Sequence, residues 1–494
     1  MSLGSLTREQ VGGLAVVMIG SFVAALDQSI VATVMPTVIG ELGGIDRYAL
    51  VFSAYLLVST IATPLVGRLA DLFGRKPVFV GGMLIFVGGS LGAGLSTSMT
   101  QLIVARAVQG LGAGALLPVG MTIAGDLFDI RGRARVQPLF SSVWITAALV
   151  GPAIGGILTQ AFSWRWAFLV NLPIGIAAIV VLLFVFHERV ERGDDRVDWV
   201  GAATLTLASG GLLLALNGIA PIVSLGMAVV FIPLFLRVER SKTGPLIDLG
   251  LVRDPAVGPG IALNAVVGGM TFAVSTYLPP FLQGVQGRSP VEAGAVVSVT
   301  SLGWSAGALA MGLILIRLGP RRSALVGTLC WAIGAALLTT LGPASPLQLA
   351  AIAAAILGLG MGLTIFPVLV SAQSAVGWSQ RGVVTGLVQF SRSLGAAIGV
   401  AALGGVLFAS MGADATAVAA LLDPAGRKQL GEAQASALGA TLGAGLHSVY
   451  LVMVVASVLG ALLARRLPAS FRDEDALVTA SPLTVDAVGT ADRS

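Results

Sequence analysis

Two charged residues sit where charge is costly. Asp27 lies in Leu26-Asp27-Gln28-Ser29-Ile30, inside an apolar run that begins near Val11 and extends to Met35. Arg106 lies inside a second apolar run, 101–123. An acid at the centre of a membrane helix costs about 2.5–3.5 kcal/mol on insertion scales. Such residues face a cavity or a partner, and their default reading is functional. The chemistry open to a buried carboxyl is reversible protonation, since burial favours the acid and a nearby cation favours the anion. An arginine keeps its charge throughout. At 1.5 Å of rise per residue both positions fall roughly 8–12 Å below the same boundary. That depth permits a direct pair or a water-bridged relay, but spacing does not establish contact. A structural hydrogen-bonded aspartate with an interhelical arginine brace is the plainer alternative. Gln109 and Gly110 follow Arg106 on the same helix face.

A second deep cation is Arg392, one turn after Gln389. Its readings are a helix-terminal carbonyl, a carboxylate partner or an anionic group of a ligand. Gln28, Gln109, Trp144, Asn264, Tyr277, Phe366, Gln389 and Arg392 are the candidates for lining a substrate cavity. Aromatic and polar groups together suit an amphipathic ligand, although most single aromatics in spans face lipid or packing neighbours. The string Gly67-Arg-Leu-Ala-Asp71-Leu-Phe-Gly74-Arg75-Lys76 falls in a short turn. Its expected work is conformational, an ion pair or cap that breaks as two bodies rock. Gly151, Pro152 and Gly155 form a close-packing face with a proline beside it.

Other chemistry is excluded. One cysteine, Cys330, permits no internal disulfide or multi-cysteine metal site. His187 and His447 are far apart and read as helix-end residues. No Gly-rich phosphate loop with Lys-Ser/Thr is present, so ATP is not the expected energy source. No cofactor is expected, and a proton gradient is the expected driving force. No nucleophile–base constellation points to an enzyme.

The elements that position these residues follow from composition. Of the 494 residues, 56% are hydrophobic and 11% charged, and the mean hydropathy is +0.93. A soluble surface needs roughly a quarter of its residues charged. Runs of about 20 apolar residues, the length that crosses a ~30 Å core, recur at 11–34, 48–66, 77–95, 101–123, 136–159, 166–186, 198–220, 221–237, 256–282, 291–316, 323–341, 347–373, 383–410 and 445–464. These predict about fourteen spans, with the seventh and eighth separated only at Ala220-Pro221. The net charge of +5 is spread over short connectors, which excludes a nucleic-acid patch. Arg and Lys favour one set of connectors, for example Arg131, Arg133 and Arg135, which places both termini in the cytoplasm by the positive-inside rule.

The expected organisation is a terminus 1–10, a six-helix bundle 11–186, a linker with two further spans 187–255, a second six-helix bundle 256–464 with an outer segment 411–444, and a disordered tail 465–494. The outer segment reads equally as a short helix or a loop. Two echoes suggest an internal repeat. Gly74-Arg75-Lys76 is echoed by Gly319-Pro-Arg321-Arg322, without the aspartate. Gly110-Leu-Gly112-Ala-Gly114 is echoed by Gly358-Leu-Gly360-Met-Gly362. Pseudo-symmetric halves suit alternating access around a midplane site.

With these motifs in hand, the chain resembles the major facilitator superfamily, in its fourteen-span drug:proton antiporter branch. The resemblance rests on Gly67–Lys76, Arg106-Ala-Val-Gln109-Gly110, Gly151-Pro152 with Gly155-Gly156, Leu26–Val31 followed by Pro36, and Trp164-Arg165-Trp166-Ala-Phe168 with Asn171. It implies an all-α polytopic fold of two six-helix halves plus two inserted helices. It implies proton-coupled export of lipophilic small molecules or drugs, with Asp27 and Arg106 in the coupling role. The partners implied are protons, an amphipathic substrate and the lipid bilayer, in the cytoplasmic membrane of a bacterium. A monomer suffices for this, and an outer partner at 411–444 is left open. Export of an endogenous lipid or metabolite is the alternative, and import a further one. The second half lacks the additional membrane acids used for dications, which favours neutral, zwitterionic or monocationic cargo.

Overall fold

Long apolar runs with few helix breakers fold as helices because a membrane leaves the backbone no other partner. In a computed structural model of the chain, the described residues are 7–127, 130–185, 199–241, 249–376, 381–422, 427 and 429–469. His187 and most of the tail expected at 465–494 lie outside them. Among the described residues every regular element is helical.

The first six spans are α1 (Arg8–Leu42), α2 (Tyr48–Phe73), α3 (Arg75–Gly94), α4 (Met99–Leu127), α5 (Ile130–Ala161) and α6 (Asn171–Val185). Two more follow, α7 (Trp199–Leu216) and α8 (Pro221–Arg240). The second half begins with α9 (Gly258–Pro280), which runs on into a π-helical turn, Phe281–Val285. Helix Pro290–Thr339 is broken at Gly319 into two spans, α10 (290–318) and α11 (320–339). Then come α12 (Leu347–Ser374), α13 (Arg381–Met411) and α14 (Glu432–Ala464). Among the described residues, thirteen helices are long and apolar enough to cross a membrane. The fifth, α5, has 32 residues, ample length for a further span.

Local chemistry sets the boundaries. Thr7 and Gln10 form a capping box at the start of α1, and Ser289 with Glu292 forms another ahead of α10. The chain turns between α7 and α8 at Ala220, whose φ of 43° is left-handed, and Pro221 opens α8. His447, read as a helix-end residue, lies well inside α14, because the helix starts at Glu432 rather than near 445.

The repeat suggested by the sequence is visible atom by atom. A Cβ on Gly110 or Gly114 of α4 would meet the backbone of α2 at Tyr55 and Ser59, and one on Gly112 would meet α3 at Phe86 and Gly82. In the second half Gly358 and Gly362 of α12 meet α10 at Thr300 and Trp304, and Gly360 meets α11 at Gly327 and Trp331. Each triplet therefore seats one helix between two others. The turns Gly74 (φ 94°) and Gly319 (φ 71°) share a left-handed backbone that favours glycine.

The halves meet along α5–α10 and α2–α13, with α1 touching α9. The paired α7 and α8 sit beside the α2–α13 seam, where Gly405 approaches the Leu216 carbonyl. Among the described residues, inter-half hydrogen bonds lie at the end of the bundle remote from the termini. The Tyr48 hydroxyl donates to the Thr276 carbonyl. Gln283 Nε2 donates to Thr33 O at 3.1 Å, and Ser298 Oγ to Leu149 O at 2.7 Å. A short helix, Ala415–Leu422, straps this end, touching α1, the 3-10 turn Ile45–Arg47, the π-turn and α14. The outer segment is thus helical in part. Arg427 follows the strap and donates to the carbonyls of Gln283 and Gly284, at 2.7 and 3.1 Å.

Candidate functional site

Asp27 sits near the middle of α1 and is fully buried. Its position is possible only because neighbouring helices bring polar groups to it. Arg106 of α4 donates from Nη1 to Asp27 Oδ2 at 2.6 Å, an ion pair with both partners sealed from solvent. Gln109, one turn further along α4, donates from Nε2 to Asp27 Oδ1 at 2.7 Å. Asn171, at the start of α6, donates from Nδ2 to the same oxygen at 2.9 Å. Removing one partner of a buried pair like this is costly, about 3–5 kcal/mol, because the other charge is left stranded.

The surrounding contacts fix these donors. Arg106 Nη1 also donates to Gln109 Oε1 at 2.6 Å, and its Nε to the Val51 carbonyl at 3.3 Å. The guanidinium carbon lies 4.1 Å from the centre of the Tyr55 ring, a cation–π arrangement that holds a desolvated cation. Ser90 of α3 accepts from Gln109 Nε2 and Asn171 Nδ2, both at 2.9 Å, and its own hydroxyl donates to the Phe168 carbonyl at 3.0 Å. Close glycine packing makes this reach possible. A Cβ on Gly89 would lie 2.5 Å from Gln109 N, so α3 touches α4 directly beside the cluster.

The structure therefore joins Asp27, Arg106 and Gln109, and adds Ser90 and Asn171. Nothing in the sequence marks Ser90, a small residue in a glycine-rich apolar run. Asn171 is visible only as part of the Trp164–Asn171 motif. Its distance of 144 positions from Asp27 hides the contact.

The other candidates are more scattered. Gln28 is half-buried next to Asp27. Asn264 and Tyr277 are buried and brace α9 against α13, through Asn264 Nδ2 to Val388 O at 2.6 Å and the Tyr277 hydroxyl to Val400 O at 2.5 Å. Phe366 is 44% exposed. Gln389 is exposed and Arg392 half-buried, joined by a long contact of 3.4 Å. The side chains of Trp144 and Asp71 lie outside the described residues.

Of the turn residues, Gly67 has open space around it, Gly74 shapes the turn, and Arg75 opens α3. Lys76 donates to the Leu183 carbonyl of α6 at 3.0 Å. Gly151 and Gly155 press on Ser29 and Ile30 of α1, and Gly156 presses on Pro290 of α10. The Pro152 carbonyl meets Gly294. This glycine series thus works both within one half and across to the other.

Two related six-helix halves, a seam between them and a buried charge network in one half define a membrane carrier. The Major Facilitator Superfamily pattern matches residues 17–400, and the chain belongs to that family as a multi-pass membrane transporter. It is 34% identical over 407 residues to the multidrug transporter protein MdtP of Bacillus subtilis, covering 80% of this chain and 74% of the relative. It is 30% identical over 398 residues to multidrug resistance protein 3 of the same organism, covering 79% and 78%. The fold is similar to a bacterial homologue of the human lysosomal transporter Spinster, solved inward-facing and occupied. That match has a TM-score of 0.68 at 17% identity and covers 91% of this chain and 95% of the other.

Proposed function

We propose that the protein exports lipophilic small molecules across a bacterial cytoplasmic membrane in exchange for protons, by alternating access. The observation that carries this reading is the Asp27 carboxylate, fully buried and held by Arg106, Gln109 and Asn171. A carboxylate there changes the balance of a whole bundle when it takes a proton, because the Arg106 pair loses its charge complement. The multidrug relatives support the cargo class. With both termini cytoplasmic, the end sealed by Tyr48, Gln283 and Ser298 faces outward. Cargo then enters from the cytoplasm or inner leaflet. Opening outward requires the seam hydrogen bonds to separate while a cytoplasmic seam closes.

Purified protein in liposomes with an imposed pH gradient tests the reading. Lipophilic dyes and drugs are screened for coupled proton movement with wild type, Asp27→Asn and Arg106→Ala in parallel. Coupled flux in wild type and its loss in Asp27→Asn supports antiport through Asp27. Equal coupling in Asp27→Asn removes that residue from the proton path. Substrate movement that never changes pH points to a uniporter or a different ion.

A further inference from the structure

Protonating Asp27 creates a hydrogen-bonding problem that the surrounding residues must solve. Oδ1 faces two N–H donors, Gln109 Nε2 at 2.7 Å and Asn171 Nδ2 at 2.9 Å. Both suit a carboxylate, which only accepts. A proton placed on Oδ1 would point an O–H at N–H groups, and a buried donor without an acceptor costs about 1–3 kcal/mol. One amide has to turn and present its oxygen.

Gln109 is held against turning. Its Oε1 accepts from Arg106 Nη1 at 2.6 Å, so reversal would set an NH2 group against a guanidinium. Turning Asn171 gives up the bond from its Nδ2 to Ser90 Oγ at 2.9 Å, but no bond to Arg106 holds its oxygen. Its residue is fully buried, and its Oδ1 has no hydrogen-bond partner among the described residues. Turning it loses no contact made by that oxygen. Ser90 retains its bond from Gln109 and its own bond to Phe168. The charged and titratable groups facing Asp27 are Arg106 from α4 and Tyr55 from α2. Arg106 offers no acceptor, and the Tyr55 hydroxyl makes no hydrogen bond to Asp27, whereas Asn171 already lies against Oδ1.

We infer that Asn171 is a two-state positioning residue, donating to ionised Asp27 from Nδ2 and, after its amide turns, accepting from protonated Asp27 through Oδ1. The proton arrives from solvent water, forms an O–H bond on Asp27 Oδ1 and returns to solvent on release. No electrons change hands. The inference rests on the proposed proton-coupling role of Asp27.

The sequence makes the test tractable, because it contains three asparagines, Asn171, Asn217 and Asn264. Protein carrying side-chain 13C-asparagine is reconstituted in lipid, and infrared spectra are recorded as pH is lowered. The expected wild-type difference spectrum holds an Asp27 carboxyl band, absent in Asp27→Asn, together with an isotope-sensitive asparagine carbonyl band. Asn171→Leu, similar in shape but without polar atoms, should remove the asparagine band. It should also move the carboxyl band to higher wavenumber, as an O–H without an acceptor requires. The wild-type measurement stands even where Asn171→Leu folds poorly. A carboxyl band with no accompanying asparagine change overturns the role of Asn171 and leaves the proton reading intact. So does a carboxyl band that Asn171→Leu leaves in place. Absence of any Asp27 carboxyl band over the pH range of the folded protein sinks both.

Discussion

At the scale of single residues, the Asp27–Arg106 pair is sealed from solvent on both sides, so removing either partner leaves the other without its complement. Arg106→Ala should lower stability by about 3–5 kcal/mol, since it strands a buried carboxylate. The Asp27→Asn/Arg106→Ala double variant should lose less than the two singles added together, as two directly coupled residues do. Thermal unfolding in detergent checks both statements, and strict additivity would show that the pair is not coupled. The sequence made this pair legible through cost: two charges inside apolar runs have few places to go. Ser90 and the Asn171 contact were not legible, because an uncharged polar residue in a span is cheap enough to have many uses. Only the packing of α3 and α6 on α4 selects one. Asn264 and Tyr277 illustrate the converse. Read as cavity candidates, they make hydrogen bonds that brace α9 against α13, a contact the sequence does not reveal.

Among the helices, glycine position matters more than glycine number. A Cβ at Gly112 would lie 2.3 Å from Phe86 N, whereas Gly81 and Gly88 have open space around them. Gly112→Ala should therefore destabilise by about 1–3 kcal/mol, as overpacking does. Gly81→Ala and Gly88→Ala should be neutral or slightly stabilising through helix propensity. Comparing the three melting temperatures decides the matter. If all three shift alike, the α3–α4 contact is not as tight as the backbone distances imply. Span positions were readable from apolar runs, and the split at Ala220-Pro221 from a proline at a helix start. The true beginning of α14 was hidden, because the stretch from Glu432 is rich in alanine and polar residues and falls below the hydropathy of a span. Helix formation there depends on alanine's propensity, not on apolarity.

For the molecule as a whole, the proposed alternating access requires the seam at the far end to open. Cysteines at Leu149 and Ser298, placed in a Cys330→Ala background, should join the halves when treated with a short thiol-reactive cross-linker. Coupled transport should stop, while the uncross-linked double variant stays active. Continued transport after complete cross-linking would mean that this seam stays shut throughout the cycle. Arg427→Ala should instead loosen the π-turn that carries the Gln283 seam contact, raising the reactivity of a cysteine placed at Gln283 toward water-soluble reagents several-fold. Unchanged reactivity would deny Arg427 a part in closure.

The strap Ala415–Leu422 has a practical consequence for anyone wishing to stop this carrier. It is carried by the second half yet rests on α1 and the turn Ile45–Arg47 of the first. A nanobody or cyclic peptide that grips the strap together with that turn would staple the two halves from one side. With that end facing outward, as proposed above, such an inhibitor need not compete with cargo, cross the bilayer or resemble a drug. On the proposed function, a pump that recognises its cargo by lipophilicity would have no means of expelling it.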